Sequence, residues 1–266
     1  MLPSRSGINV IYSSGELPEL KSPYLICGFP GSGYVGKMAV DHLIEELNAR
    51  HLADIYSTSF PPQVLIRSDG TADLMKNTIF YSKGRISTDT NLLLLTGDSQ
   101  PANPDSEYLL AEEILDIAAK FNTSHVFTLA AYITGVFVEK PRIFGTATDT
   151  DTIKSFGERS ILTMDGGSIT GMNGLIIGSA KLRGVKGTCL LGETSGYVVD
   201  AKASKSLLET LLSIVGVSVD MQNLEKRAKD TEMLIQTIEQ QMAGRMGQPQ
   251  QQGSPTNRPS DMGYIS

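Results

Sequence analysis

A glycine-rich loop joins a strand pattern to a helix pattern near the start of this 266-residue chain. The loop, GFPGSGYVGK over 28–37, overlaps the end of the apolar run YLICGF and leads into a helical pattern over 35–48. Glycine is favoured where the backbone must turn tightly or approach another segment closely. A strand, a glycine turn and a helix in this order are typical of α/β folds.

Strand and helix patterns then alternate along the rest of the chain. Predicted strands cover 24–29, 54–60, 91–97, 125–135, 142–149 and 185–193, and predicted helices cover 35–48, 106–121, 175–182, 201–215 and 221–244. Asp69 and Gly70 form a turn signal between two short extended segments, which predicts a hairpin that extends the sheet. The continuous apolar run NLLLLTG indicates a strand covered on both faces. The alternation predicts an α/β fold with a mostly parallel or mixed sheet between helices.

The glycine loop matches two nucleotide-site patterns, but each pattern lacks a residue that its chemistry requires. Gly31, Gly33 and Gly36 spell GxGxxG, yet the next strand ends in STSF and offers no acid to bind a ribose. Gly31 to Lys37 also spells GxxxxGK, yet Met38 stands where a magnesium-binding Ser or Thr is required. We therefore favour a tight backbone turn over a nucleotide site.

Polar residues at the predicted carboxyl ends of the strands form a candidate ligand pocket. Ligands of open α/β sheets bind beyond these ends, and free amides at the start of a helix can hold a simple anion. The candidate pocket residues are Ser32, Gly33, Tyr34, Asp98, Gln100, Glu193, Thr194 and Ser195. The alternative for each of these residues is a structural role, such as capping the next helix or holding a loop.

Searches for catalytic motifs give no complete set. His42, His51 and His125 have no histidine partner four residues away, so the sequence contains no HExxH zinc helix. Ser99 and Ser195 do not lie in the GxSxG turn of hydrolases. We predict no metal site, no cofactor and no catalytic residues, and this favours a non-enzymatic role.

Charge and cysteine usage restrict the partners further. The formal net charge is −6 and the Lys and Arg residues are scattered, which argues against a nucleic-acid partner. Cys27 and Cys189 lie in apolar, strand-like contexts and are interpreted as small buried hydrophobic residues, as expected in a reducing cytoplasm. The longest mostly apolar run, Val126 to Val138, is too short for a bilayer, which needs about 20 residues. We expect a cytoplasmic protein with no membrane segment.

The last predicted helix carries a heptad pattern of apolar positions. These positions, the candidate oligomer seam, are Leu224, Ala228, Thr231, Ile235, Ile238 and Met242. Such a seam either packs along its own domain or forms a coil between subunits. The residues that follow are rich in Gln, Pro, Ser and Gly, a composition typical of a flexible tail. We predict a core domain over 1–218, an amphipathic helix over 219–245 and a disordered tail over 246–266.

Several blocks of the sequence together resemble one protein family. GFPGSGYVGKMAVDHLI, FPPQVLIRSDG, LLLLTGDSQP, PRIFGTATD and LLGETSGYVVDAKAS are similar to segments of the proteasome assembly chaperone 2 family, particularly its archaeal and bacterial members. The resemblance implies a three-layer α/β/α sandwich similar to the purine nucleoside phosphorylase fold. It also implies a chaperone or adaptor on the proteasome α-ring, often acting as a homo-oligomer. The alternative is a nucleoside phosphorylase-like enzyme, or a sensor of small molecules or nucleotides, that uses the pocket at the strand ends.

The same resemblance draws attention to the end of the chain. Some proteasome partners of this kind end in a hydrophobic residue, then Tyr, then any residue, and their terminal carboxylate pairs with a lysine between α-subunits. This chain ends Gly263, Tyr264, Ile265, Ser266, so the tyrosine is third from the end instead of second. Tyr264, Ile265 and Ser266 are therefore candidate partner-binding residues, and a solvated tail without a docking role is the alternative.

Overall fold

A computed structural model describes residues 7–84 and 89–246 of the chain. The strands are β1 (Ile8–Tyr12), β2 (Tyr24–Gly28), β3 (Arg50–Ser57), β4 (Val64–Ile66), β5 (Ala72–Leu74), β6 (Asn77–Ser82), β7 (Leu92–Gly97), β8 (His125–Ile133), β9 (Ile143–Ala147), β10 (Ile161–Thr163) and β11 (Lys186–Thr194). The helices are α1 (Val35–Glu46), α2 (Pro104–Lys120), α3 (Thr150–Lys154), α4 (Gly171–Leu182), α5 (Ala201–Val215) and α6 (Gln222–Met246). One-turn 3-10 helices cover Ser32–Tyr34 and Gly157–Arg159.

A mixed nine-stranded sheet forms the centre of the fold, with the strand order β1-β3-β6-β7-β2-β8-β11-β9-β10. The middle strands β7, β2, β8 and β11 are parallel to one another. Antiparallel strands extend this parallel core on both sides, because β6 pairs with β7 and β9 pairs with β11 in opposite directions. The carboxyl ends of the four middle strands therefore meet at one edge of the sheet, which we call the carboxyl edge.

Helices cover both faces of the sheet and confirm the predicted three-layer α/β/α arrangement. Helices α2 and α4 pack on one face, and α1 and α5 pack on the other. Strand β7 shows why its sequence is uniformly apolar. Leu93 and Leu95 enter the core beneath α2 and α4, whereas Leu92 and Leu94 enter the core beneath α1 and α5. Alternate side chains of a strand point to opposite faces, so a strand between two helical layers needs apolar residues at every position.

Three features differ from the pattern predicted from the sequence. The hairpin at Asp69 and Gly70 forms, but its strands β4 and β5 make a separate two-stranded sheet and do not extend the main one. Strand β3 starts at Arg50 and is separated from β2 by β6 and β7. Strands β1 and β10 and helix α3 lie in segments for which no element was predicted. The two strands depend on pairing with other strands, which local periodicity does not encode. Helix α3 is too short for a periodic pattern, although Asp149 caps its start by accepting from the backbone N–H of Thr152 at 2.9 Å.

The start of α6 belongs to the core. Leu224 and Ala228 are buried, and the hydroxyl of Thr231 lies 3.5 Å from the carbonyl oxygen of Val199. The side chains of Ile235, Ile238 and Met242 fall outside the described part of the structure. The chain divides into two compact units, Met1–Thr231 and Glu232–Ser266. The domain boundaries given above stay a prediction, and the tail with Tyr264, Ile265 and Ser266 lies outside the described residues.

Both cysteines are buried and unpaired, as expected from their apolar surroundings. Burial raises the pKa of the Cys27 thiol and raises the pKa of the Cys189 thiol to about 12. These groups therefore stay protonated near neutral pH and are poor nucleophiles. Within residues 7–84 and 89–246, no helix combines the length and apolar character that a membrane crossing requires.

Candidate functional site

The glycine loop enters the carboxyl edge from β2 and is shaped by close backbone packing. A Cβ atom on Gly36 would overlap the carbonyl oxygen of Leu129 in β8, so only glycine lets α1 lie this close to the sheet. A Cβ atom on Gly28 would likewise overlap the carbonyl oxygen of Gly36. Gly33 and Tyr34 follow one another with left-handed φ values of 63° and 53°. The glycines therefore have packing and turning roles in the structure.

The loop is tied to β11 and α5 through Asp200. The backbone N–H of Asp200 donates to the carbonyl oxygen of Gly33 at 2.8 Å. The Asp200 carboxylate caps α5 by accepting from the backbone N–H of Ala203 at 2.9 Å. The same carboxylate accepts from the hydroxyl of Thr194 at 2.7 Å, and both side chains are buried. Gly33 and Thr194, predicted as pocket residues, are thus brought together by a residue that the prediction did not include.

Asp98 and Gln100 hold the loop after β7. The Gln100 amide nitrogen donates to the carbonyl oxygen of Pro30 at 2.8 Å, and its amide oxygen accepts from the backbone N–H of Met172 at 3.0 Å. One side chain therefore links the glycine loop to the start of α4. The Asp98 carboxylate accepts from the backbone N–H of Lys76 at 3.2 Å. Both candidate pocket residues thus make contacts within the fold.

Glu193, the last but one residue of strand β11, is a buried carboxylate that forms an ion pair with Arg142. The Arg142 guanidinium donates to its carboxylate through Nε at 2.8 Å and Nη2 at 2.7 Å, and the backbone N–H of Arg142 adds a third bond at 3.1 Å. The Glu193 side chain is 2% exposed, whereas that of Arg142 is 59% exposed. The hydrogen bonds from Arg142 lower the pKa of Glu193 below its ordinary value. Glu193 is therefore ionised near neutral pH and is poorly suited to act as a general acid.

We expect the substitution Arg142→Met to destabilise the protein in a pH-dependent way. It leaves the Glu193 carboxylate buried without its cation, which is strongly unfavourable. Because the folded-state pKa of Glu193 is lowered, the pair contributes fully above the unfolded-state pKa of about 4.3 and is lost as the pH falls through the folded-state value. Urea unfolding should show a lower midpoint for the variant at neutral pH and a smaller difference in acid.

Arg159→Met is the matched control, because Arg159 lies 3.7 Å from the exposed carboxylate of Glu158. An exposed pair of this kind contributes little to stability, so the midpoint should stay close to that of the parent protein. An equal effect of the two substitutions, or a difference for Arg142→Met that does not change with pH, would contradict the assignment.

Large apolar side chains remain exposed around the carboxyl edge, and we call them the apolar rim. They are Tyr34, Ile133, Val136, Phe137, Tyr197 and Val199. The rings of Phe137 and Tyr197 meet edge to face at a centroid distance of 6.4 Å. A cluster of exposed apolar side chains typically marks a protein contact surface. The run ITGVFV beyond β8 was an available signal for this surface, because apolar residues continue past the strand end.

The chemistry of the carboxyl edge thus differs from that of a typical active site. Glu193, Thr194, Asp98 and Gln100 all bond to other parts of the fold, and the pocket they were predicted to form stays a prediction. Ser32 and Tyr34 lie exposed at the loop, and the buried Ser195 hydroxyl lies 3.4 Å from the backbone N–H of Tyr197. Among the described residues, no group of three or more His, Cys, Asp or Glu side chains could hold a metal ion.

Comparison with known proteins places this architecture among related chains. The profile of the PAC2 family matches residues 25–239. The sequence is 36% identical to an uncharacterised protein of Methanocaldococcus jannaschii over 224 residues, covering 84% of this chain and 85% of that one. The structure is similar to Pyrococcus furiosus PbaB, described as an archaeal proteasome activator, with a TM-score of 0.82, 36% identity and coverage of 88% and 99% of the two chains. It is also similar to Pyrococcus furiosus PbaA, described as an archaeal homolog of proteasome-assembly chaperone, with a TM-score of 0.72, 27% identity and coverage of 90% and 94%.

Proposed function

Because the chain belongs to the PAC2 family, we propose that it is a non-enzymatic factor that binds the proteasome and assists its assembly or activation. The observation that carries this proposal is the match to PbaB, which extends over 99% of that chain at 36% identity. The similarity to PbaA supports the same class of role. The predicted cytoplasmic location and the lack of a nucleic-acid partner accompany this proposal as expectations from the sequence.

The apolar rim supports a role in protein contact. Phe137 and Tyr197 are large aromatic side chains in contact with one another, and such residues are enriched at protein interfaces. Glu193, Thr194 and Gln100 at the same edge form hydrogen bonds within the fold, so the backbone that carries the apolar rim is held in place. We propose that the apolar rim contributes to binding of a protein partner.

The proteasome α-ring is the proposed partner, and the end of the chain is its proposed docking element. Tyr264 and Ile265 offer an aromatic ring and an aliphatic side chain, and Ser266 is proposed to offer the carboxylate. A lysine in a receiving pocket would pair with that carboxylate. Tyr264 stands one position earlier than the tyrosine of the family pattern, so docking by the tail requires a test of its own.

Self-association through α6 is also proposed. Leu224 and Ala228 pack within their own core, so the later seam positions would have to form the contact between subunits. A small-molecule enzyme is the less favoured alternative, because the Glu193 carboxylate and the Thr194 and Gln100 side chains already have partners within the fold.

The test mixes the full chain with purified archaeal proteasome α-rings and with complete proteasomes. We expect comigration on native gels and by size exclusion, together with a change in peptide hydrolysis by the complete proteasome. If the tail docks through its carboxylate and tyrosine, removal of residues 247–266 should lower the affinity for the proteasome at least about tenfold. The substitution Tyr264→Ala should give a similar loss.

Adding one alanine after Ser266 is the matched control for the tail, since it moves the carboxylate and keeps every side chain. A docking tail should lose affinity on this addition, whereas a solvated tail should not respond. Lack of comigration with either form of the proteasome, for the full chain at micromolar concentrations, would contradict the proposed function.

A further inference from the structure

A groove of about 820 Å³ lies between the main sheet and the separate hairpin β4–β5. Its sheet side includes Asn9 and Ile11 of β1 together with Tyr56 of β3. Asn9 and Ile11 point away from the core beneath α2 and α4, because the alternate residues Ile8 and Val10 face that core. Tyr56 lies opposite Asn9 in the strand pair and therefore shares its face. No helix residue lines the groove within the described ranges, so this part of the sheet is open on one face.

The hairpin presents an apolar side to the same groove. Val64 pairs with Leu74 across the two strands, and Ile66 pairs with Ala72, so the four side chains lie on one face. Val64, Ala72 and Leu74 line the groove. Ile66 and Leu74 are 68% and 63% exposed. Phe60 and Pro61 add further apolar lining. Exposed aliphatic pairs on a hairpin are typical of surfaces that are covered by another molecule.

Asp73 lines the groove, and carboxylates outnumber cations among the charged groups on the hairpin and on the adjoining strands and loops. Arg67 is paired with Asp73 at 2.7 Å, and Lys76 is paired with Asp54 at 2.8 Å. Asp69 lies at the hairpin turn, and Asp98 accepts from the backbone N–H of Lys76. Asp69, Asp73 and Asp98 all contribute to raising the pKa of Arg67. Because the four carboxylates of Asp54, Asp69, Asp73 and Asp98 share only the two cations Arg67 and Lys76 in this set, the surroundings favour a partner with positive charge.

The edge of the sheet beside the groove suits an extended partner. β1 is the end strand of the sheet among the described elements. The carbonyl oxygen of Gly7 accepts from Thr58, and the N–H of Ser13 donates to Leu52. Bonded and non-bonded pairs alternate in an antiparallel ladder, so the backbone groups of Val10 and Tyr12 point away from β3 toward the sheet edge. An added strand could bond to these groups while alternate side chains enter the groove.

We propose that this groove binds an extended segment of a partner protein that pairs with the edge of β1 and inserts aliphatic side chains against Ile11, Val64 and Leu74. The segment carries Lys or Arg beside its aliphatic positions, to match the acidic surroundings. A second copy of this chain fits less well, because it would bring the same excess of carboxylates. The site is separate from the apolar rim and from the C-terminal tail, so its test does not depend on proteasome binding.

The test measures fluorescence anisotropy of a labelled peptide, Lys-Val-Thr-Val-Thr-Val-Lys, titrated with the full chain. We expect saturable binding in the micromolar to millimolar range that weakens as salt is raised. A matched peptide with Glu at both ends should bind at least about fivefold more weakly, because it repels the carboxylates. The double variant Val64→Ser/Leu74→Ser should bind the basic peptide at least about tenfold more weakly, since two apolar contacts are lost.

Leu182→Ser is the matched control protein, because Leu182 is 90% exposed and does not line the groove. It should bind the peptide as the parent protein does, and circular dichroism should show that both variants remain folded. The proposal is overturned if the basic peptide shows no saturable binding at millimolar protein, or if the groove variant or the acidic peptide binds equally well. It is also overturned if Val64→Ser/Leu74→Ser dissociates an oligomer of the parent protein in sedimentation, because a second copy would then occupy the groove.

Discussion

Replacing Gly36 with alanine should destabilise the protein by about 3 kcal/mol, the upper end of the usual cost of overpacking, although the same change in a helix normally stabilises. The added Cβ atom would overlap the backbone carbonyl oxygen of Leu129, and backbone of a buried strand cannot move aside as a flexible side chain can. Helix α1 would have to lift away from β8 and break the packing of Val40 and Leu43 beneath it. With a typical stability of about 5–15 kcal/mol, this is a large fraction of the total.

Gly178→Ala provides a matched comparison in α4. A Cβ atom at Gly178 would meet no other atom within 4 Å. The only effect there is the higher helix propensity of alanine, so we expect stabilisation of up to about 1 kcal/mol. Urea unfolding followed by circular dichroism gives both free energies of unfolding. Equal signs for the two substitutions would contradict the close approach of α1 to the sheet.

Replacing Asp200 with alanine should cost about 2–4 kcal/mol of the free energy of unfolding. The loss combines a helix cap, about 0.5–2 kcal/mol, with a buried Thr194 hydroxyl that no longer has an acceptor for its proton, about 1–3 kcal/mol. The same substitution should also loosen the glycine loop. Without the cap at the start of α5, the backbone N–H of residue 200 is held less firmly, and this N–H is the donor to the carbonyl oxygen of Gly33. Amide exchange of residues 31–36 should therefore become faster.

Asn103→Ala is the control for the capping contribution alone. Asn103 caps α2 through one bond to the backbone N–H of Ser106, and it is exposed. Its loss should cost about 1 kcal/mol. Asp200→Asn keeps an acceptor for the cap and should recover part of the stability. A cost for Asp200→Ala no greater than that for Asn103→Ala would show that the bond to Thr194 adds nothing.

The sequence predicted the parts of the fold that depend on local pattern. Helix α5 was predicted over 201–215 and occupies Ala201–Val215, and the apolar run of β7 was correctly interpreted as a strand covered on both faces. The order of the strands in the sheet could not be predicted from the sequence. Strands β6 and β7 follow β3 along the chain, yet in the sheet they lie between β2 and β3. Such insertions are decided by how whole strands pair, and no local signal marks them.

The positions of several candidate pocket residues at the strand ends were predicted from the sequence, whereas their hydrogen bonds were not, and the pocket itself stays a prediction. Gly33, Thr194 and Gln100 do lie at the carboxyl edge, as strand ends in an α/β sheet should. Asp200 had a usable signal, since an aspartate directly before a helical run is a typical cap. Arg142 had none, because its partner Glu193 is 51 residues away in sequence. Long-range ion pairs depend on strand order, so they become visible only with the fold.

Leu224 and Ala228 are buried although they belong to α6, the helix that leads into the C-terminal segment of the chain. The first two turns of α6 are part of the core, and a deletion that begins before Gln222 would expose Val217 and Leu212 to water. Shortening that begins at Glu232 leaves these contacts intact. Everything after Thr231 can therefore change in length or sequence without removing these buried contacts, so the constraint on that segment comes from the partners it is proposed to bind and not from the sandwich.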